Sequence, residues 1–277
     1  MSVLRKALAP DAGAIGQWAV ACLKQEVATY PKPGLVSPVD QGSHRDMDAA
    51  MMNRSAEALR PFLTQMADAG AAGAGMDRLR AIGIAAEAAM LVATGGVNTH
   101  RGAIFGMGLF CAAVGFRQAY GLHDSLGSLV ARRWGEAIVG GPVALHSHGR
   151  QVARSHGAGG ARAEAAAGFP SLYTLAMPAL REGRRLRPGD PNAAQVHACM
   201  MLIAAVEDTN LLYRGGAAGL AFAQSSARGF LAAGGAGADD WLARAEQVHR
   251  DFVARNLSPG GCADLLAMAL FVEGVEG

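Results

Sequence analysis

The stretch GAIFGMGLFCAAVGF, Gly102 to Phe116, sets the architecture. It is the most membrane-like run in the chain, yet it falls short of the roughly twenty apolar residues that cross a bilayer. His100 and Arg101 also stand immediately before it. It therefore reads as a helix buried in protein. Gly102, Gly106 and Ala113 would let a neighbouring helix approach closely, while Phe105, Leu109 and Phe116 fill the space between. The same helical periodicity recurs on both sides, with few β-branched alternations. It predicts helices over 11–29, 47–68, 77–94, 101–118, 124–138, 145–156, 170–182, 191–206, 217–232, 238–256 and 259–274. The expected fold is all-α, one compact helical domain over residues 1–277, with DAGAAGAGMD and AAGGAGADD as links between helices.

Composition narrows the function. With 51% hydrophobic and 17% charged residues, a chain of 277 residues can bury a large core. A formal net charge of +2 gives no field for gripping a nucleic-acid backbone, so any anion site must be local. The N-terminal MSVLRKALAPDAG has no long apolar core before its first acid; it does not read as a secretory signal, and the expected location is the cytoplasm. Cys22, Cys111, Cys199 and Cys262 are widely spaced in apolar surroundings and read as buried reduced thiols. His146 and His148 are two apart with no HExxH or CxxC beside them, which argues against a zinc enzyme, and neither a GxSxG elbow nor a Walker A loop is present.

Polar residues gather in five segments at predicted helix ends: PKPGLVSPVDQGSHRDMD (Pro31 to Asp48), GGVNTHRGA (Gly95 to Ala103), GARAEAAAGFPS (Gly160 to Ser171), EDTNLLYRGG (Glu207 to Gly216) and NLSPGGCADLL (Asn256 to Leu266). A helix bundle can bring such ends together at one rim, where a ligand would sit. Ser258-Pro259 reads as an N-cap and first helical residue, and Gly215-Gly216 could stop one helix and start another. Gly260 and Gly261 then fall at the next two positions, where glycine costs about 1 kcal/mol against alanine. They either leave bare amides for a phosphate or permit a tight helix crossing.

Pro31 and Pro33 fix the backbone around Lys32, one of three lysines in the chain, and Gly34 lets it turn sharply. Lys32 is either a rigidly held phosphate contact or a solvated lysine on a turn. Asp46 and Asp48 could help hold Mg²⁺, which needs only one or two carboxylates beside substrate phosphates, or could form a charged first helical turn. Asp208 follows the apolar VHACMMLIAAV, where a carboxylate is costly unless paired or coordinating; this favours a functional role over a salt bridge to Arg214. Glu26 and Glu164 invite the same reading more weakly.

Taken in order, PKPGLVSPVDQGSHRDMD, GVNTHRGAIF, GFPSLYTLAMPAL, DTNLLYRGG and SPGGCADLLAMALF resemble the triphosphoribosyl-dephospho-coenzyme A synthase family over nearly the whole chain. The version GLVSPVDQGSHRDMD is closer to the malonate decarboxylase branch than to the citrate lyase branch. Arg101 departs from the lysine expected there in many members; it keeps the charge but alters the geometry of a phosphate contact.

The resemblance implies a transferase that takes ATP and 3′-dephospho-coenzyme A, releases adenine and joins the triphosphoribosyl unit to the ribose 2′-hydroxyl. The product would be the precursor of the prosthetic group of an acyl carrier protein subunit. It also implies substrate contacts at Lys32, Gly34, His44, Asn98, His100, Arg101, Asn210, Arg214, Ser258, Gly260 and Gly261. Catalytic carboxylates would come from Asp208, Asp48, Glu26 and Glu164, with Mg²⁺ carried with ATP at Asp46, Asp48 and Asp208. The sequence leaves open a helical hydrolase of N-glycosidic bonds and a nucleotide-sensing module. Neither nucleic acid nor membrane is an expected partner, and the large apolar helical surface is compatible with a homodimer.

Overall fold

The computed structural model describes residues 11–142 and 160–277. The predicted helix 145–156, with His146 and His148, lies outside the described residues. Among the described residues the fold is all-α, with no strand. The helices are α1 (Ala12–Ala28), α2 (Ala49–Ala71), α3 (Met76–Thr94), α4 (Arg101–Ala119), α5 (Leu126–Gly140), α6 (Gly160–Ala166), α7 (Met177–Leu186), α8 (Pro191–Ala205), α9 (Thr209–Ala232), α10 (Trp241–Ala254) and α11 (Gly260–Glu276). A π-helical turn, Leu172–Ala176, leads into α7, and a 3₁₀ turn, Gly235–Gly237, precedes α10.

Three helices are apolar on nearly every side and occupy the interior, as that pattern requires. They are α4, buried from Ala103 to Gly115 except Phe105, α8, buried from Ala193 to Ala204 except Met201, and α11, buried from Cys262 to Val272 except Asp264. At 19 residues α4 is long and apolar enough to cross a bilayer by composition alone, but it packs against α2, α3, α5 and α11. Its small residues do set its crossings. A side chain at Gly115 would run into the Ala67 carbonyl and one at Gly70 into that of Ala112, so α2 and α4 touch backbone to backbone. On its other side a side chain at Gly106 would collide with Met268 of α11. The four cysteines are free and buried.

Two differences from the periodicity have local causes. The predicted helix 217–232 starts earlier, at Thr209, because Asp208 caps it, and it breaks at Gly216 (φ 61°, ψ −163°) before resuming. GARAEAAAGFPS is not merely an interruption: its alanine-rich half forms α6, and the turn that follows carries Phe169 at φ 59° into the core against Phe110, with ring centroids 4.4 Å apart.

Candidate active site at the first turn of α11

Four of the five polar segments meet at the N-terminus of α11. The loop after α1 plunges inward, with Pro31 to Ser37 all buried. Gly34 takes a left-handed φ of 67°, and a side chain there would run into the Leu257 carbonyl. Ser43 donates its hydroxyl to the same carbonyl at 2.7 Å. His44 Nε2 lies 2.9 Å from Ser258 Oγ, and Arg214 reaches His44 Nδ1 at 3.3 Å. A guanidinium only donates, so Nδ1 accepts and Nε2 carries the proton towards Ser258. His44 is thus a neutral imidazole, and burial, helped by Arg214, lowers its pKa to about 4. Ser258 is committed to this contact, and α11 begins at Gly260 with Pro259 in the cap position, which corrects the expected Ser258 cap.

Asp208 joins two helix starts. Its Oδ1 accepts from the amides of Asn210 at 2.7 Å and Leu211 at 3.2 Å, and its Oδ2 from the amide of Cys262 at 2.8 Å. Burial raises its pKa, and these hydrogen bonds pull it back. The glycines that looked like a phosphate cradle answer to this arrangement. A Cβ at Gly261 would lie 3.0 Å from Asp208 Oδ2, and one at Gly260 would lie 2.8 Å from the Asn210 side-chain nitrogen. An anion does sit at this helix end, but it is the protein's own carboxylate. Asp208 makes no salt bridge with Arg214.

Lys32 is neither a solvated turn lysine nor an open phosphate contact. It is 1% exposed and forms an ion pair with Glu26, whose carbonyl also accepts from its ammonium at 2.6 Å. Glu26 is therefore the partner of Lys32 rather than a free carboxylate. The Lys32 carbonyl lies 2.8 Å from His249 Nδ1, and His249 Nε2 is 3.1 Å from Asp40. His249, on α10, carried no motif signal in the sequence.

The remaining predicted residues divide. His100 is buried, its Nδ1 2.8 Å from Ser55 Oγ and its Nε2 without a partner among the described residues; burial, with Lys32 adding to it, lowers its pKa to about 4. Arg101 is paired with Glu87 of α3, and Asn98 accepts from the Arg101 amide at 3.3 Å. Asp48 caps α2 through the Met51 amide at 2.7 Å and is exposed, as is Asp46. Asp46, Asp48 and Asp208 are thus not brought together, and no group of three or more His, Cys, Asp or Glu among the described residues is arranged to hold a metal ion. Glu164 accepts from the Ser171 amide at 2.7 Å and its hydroxyl at 3.1 Å, fixing the turn into the π-helical segment.

Sequence reasoning missed Asp264. It is the one acid in the apolar run of α11 from Cys262 to Val272, half-buried, and none of its carboxylate oxygens has a hydrogen-bond partner among the described residues. Oδ2 packs onto the first turn of α4 so closely that a side chain at Gly102 would overlap it. Burial, reinforced by the charges of Glu26 and Asp208, holds its pKa well above the usual carboxylate range. A groove of about 680 Å³ lies elsewhere, lined by Ser125, Ser128, Arg132 and Tyr173 among others. Its cation is already paired with Asp124 at 2.8 Å, so the carboxylate cluster is the stronger site.

The sequence profile described as ATP:dephospho-CoA triphosphoribosyl transferase matches residues 12–277. The chain belongs to this family. A relative from Pectobacterium atrosepticum, named 2-(5''-triphosphoribosyl)-3'-dephosphocoenzyme-A synthase, is 40% identical over 92% of this chain and 86% of its own. A relative from Acinetobacter calcoaceticus, named a probable enzyme of the same kind, is 38% identical over 92% of this chain and 88% of its own. No solved structure was found to match. The chain is therefore an enzyme of the triphosphoribosyl transferase type.

In this triphosphoribosyl transferase depressed histidines, His44 and His100 among them, make stability sensitive to acid. The folded pKa values of His44 and His100, about 4, lie below the unfolded value of about 6.5. The unfolded chain therefore binds more protons, and the contribution of neutral His44 and His100, complete above about pH 6.5, is lost as pH falls towards 4. The thermal midpoint should drop between pH 7 and pH 4.5, and drop less steeply in His100→Gln. An equal slope in that variant would remove His100 from the effect.

Proposed function

We propose that this chain transfers the triphosphoribosyl unit of ATP to the 2′-hydroxyl of 3′-dephospho-coenzyme A, with release of adenine, where the Tyr30–Asp48 loop and the starts of α4, α9 and α11 meet. The observation that carries the reading is the convergence of four family motifs on one buried carboxylate cluster. Breaking the bond from ribose C1 to adenine builds positive charge on the sugar, and the carboxylates of Glu26 and Asp208 supply a fixed negative environment for it.

The triphosphate needs cations that the protein has not already neutralised. Arg214 qualifies: it donates to the Ser43 carbonyl at 3.1 Å and to Asn256 Oδ1 at 2.8 Å, but forms no ion pair with a carboxylate among the described residues. Arg45 and Arg54 are exposed and likewise form no ion pair among the described residues. Arg214 holds one end of the triphosphate, and these two are candidates for the other. Mg²⁺ enters as the ATP complex and so needs no protein cage.

The product is passed on, in this reading, as the prosthetic-group precursor of an acyl carrier protein subunit. The wording of GLVSPVDQGSHRDMD favours malonate decarboxylase over citrate lyase as its destination. The enzyme works in the cytoplasm. Exposed Ile84 and Val92 on α3 favour a homodimer.

The acceptor tests the assignment. The nucleophile lies beside a free 3′ position in 3′-dephospho-coenzyme A, whereas coenzyme A carries a phosphate there that would enter a cluster of carboxylates without a partner. With MgATP as donor, 3′-dephospho-coenzyme A should be turned over and coenzyme A hardly at all, by mass of the product. Equal turnover of the two would overturn the assignment.

A further inference from the structure

We propose that Asp264 is the catalytic acid of this site, handing a proton to adenine as the bond from ribose C1 to the purine nitrogen breaks. The inference rests on the transfer reaction proposed above and adds a named atom to it. Three observations carry it. The Asp264 carboxyl is the one acid of the cluster whose oxygens are not already taken: Asp208 is spent on three backbone amides and Glu26 on Lys32. Gly102, at the second residue of α4, has no side chain where Asp264 Oδ2 lies, so the HRG motif keeps that oxygen's position clear. His100, two residues earlier, is buried with its Nε2 unpartnered, a polar atom whose hydrogen-bond need no group among the described residues meets. An unused carboxyl beside acids already committed, with an unused imidazole nitrogen two residues before Gly102, marks the place where a ligand supplies the missing partners.

The groups facing Asp264 set its proton affinity. Glu26 of α1 and Asp208 before α9 both oppose its ionisation. The Lys32 ammonium, which would favour ionisation, is bound to Glu26. Cys262, whose thiol burial keeps protonated, adds no positive charge. Asp264 therefore stays protonated where ordinary carboxyls have lost their proton, which is what donation near neutral pH requires.

In the step itself the C1–N9 bond breaks and its electron pair stays on the purine. The Asp264 proton passes to a ring nitrogen, so that neutral adenine leaves. The bond from C1 to the acceptor 2′-oxygen forms, the hydroxyl proton goes to solvent, and Asp264 is reprotonated from solvent. The three phosphates take no part.

The test compares two donors in wild type and Asp264→Asn, both with 3′-dephospho-coenzyme A: ATP, whose base must be protonated to leave, and N7-methyl-ATP, whose cationic base leaves without a proton. A general acid contributes about 10²–10⁴-fold. Asp264→Asn should lose that much in kcat with ATP and keep activity within about tenfold of wild type with the methylated donor. Equal losses with both donors, or no loss with ATP, would overturn the proposal. If wild type releases no base from either donor, it is the transfer reading that fails. Should Asp264→Asn not fold, wild type alone decides: kcat/KM with ATP should fall on the alkaline side and the same limb should be missing with N7-methyl-ATP. An identical limb for both donors counts against Asp264.

Discussion

Lys32→Met is expected to destabilise the protein by roughly 3–5 kcal/mol, a large share of the stability of an ordinary domain. The reason lies in what the substitution leaves behind. Glu26 is 6% exposed, and Lys32 is its ion-pair partner. Methionine fills much of the space of the lysine stem but supplies no charge, so Glu26 must either take up a proton or remain as a buried anion. The loop from Pro31 to Ser37 is buried with Lys32, so the damage extends to the seat of His44 and Arg214. Urea denaturation of the single variant, set beside Lys32→Met with Glu26→Leu, checks the argument. The double variant should regain much of the lost stability, because an apolar pair of similar volume removes both desolvation costs. If Lys32→Met instead unfolds at the wild-type urea concentration and only raises KM for ATP, Lys32 is a phosphate ligand and the pair with Glu26 carries no structural weight.

Asp208→Asn should cost about 1–3 kcal/mol and most of the turnover, although the new side chain has the same shape. The amide oxygen can still accept from Asn210 and Leu211, but its NH₂ group then faces the Cys262 N–H that Asp208 Oδ2 now satisfies at 2.8 Å. Two donors cannot satisfy each other, so the first turn of α11 must shift or leave a buried amide unpaired. That turn carries Asp264, two residues beyond Cys262. Asp208 thus positions the chemistry from behind. Thermal melts and steady-state kinetics on one preparation decide the matter. A variant with wild-type stability but no activity would return Asp208 to direct contact with substrate, and one normal in both would remove it from the site.

Apolar periodicity was enough to place α4 at its observed first residue and to centre α11 and α8, because a helix wrapped in apolar side chains can only be buried. Gly215-Gly216 marked the break within α9 for the backbone reason that operates there, a positive φ at Gly216. The helical turns between Thr209 and that break were hidden because a short polar run reads as loop until its cap, Asp208, is seen accepting from the amides that follow.

The candidate site was legible as a set of segments and far less so as a set of roles. Lys32 sits between prolines, a setting that suggests solvent; its burial depends on Glu26 lying across from it on the last turn of α1. Gly260 and Gly261 look alike whether they admit a phosphate or the side chains of Asn210 and Asp208, and only the packing of α9 onto α11 distinguishes these. Asp264 gave no signal of its own, since one acid in an apolar helix does not reveal what it faces. His100 is fixed at the start of α4 by Ser55 of α2, a pairing that the HRG run does not announce in the sequence.

Adenine release from MgATP, followed with and without 3′-dephospho-coenzyme A, is the most direct test of the transferase reading. Adenine should appear only when the acceptor is present, in step with a product whose mass includes all three phosphates. Adenine formed equally well without the acceptor would make the protein a hydrolase. Pyrophosphate in place of adenine would mean that the bond to ribose C1 is not the one that breaks.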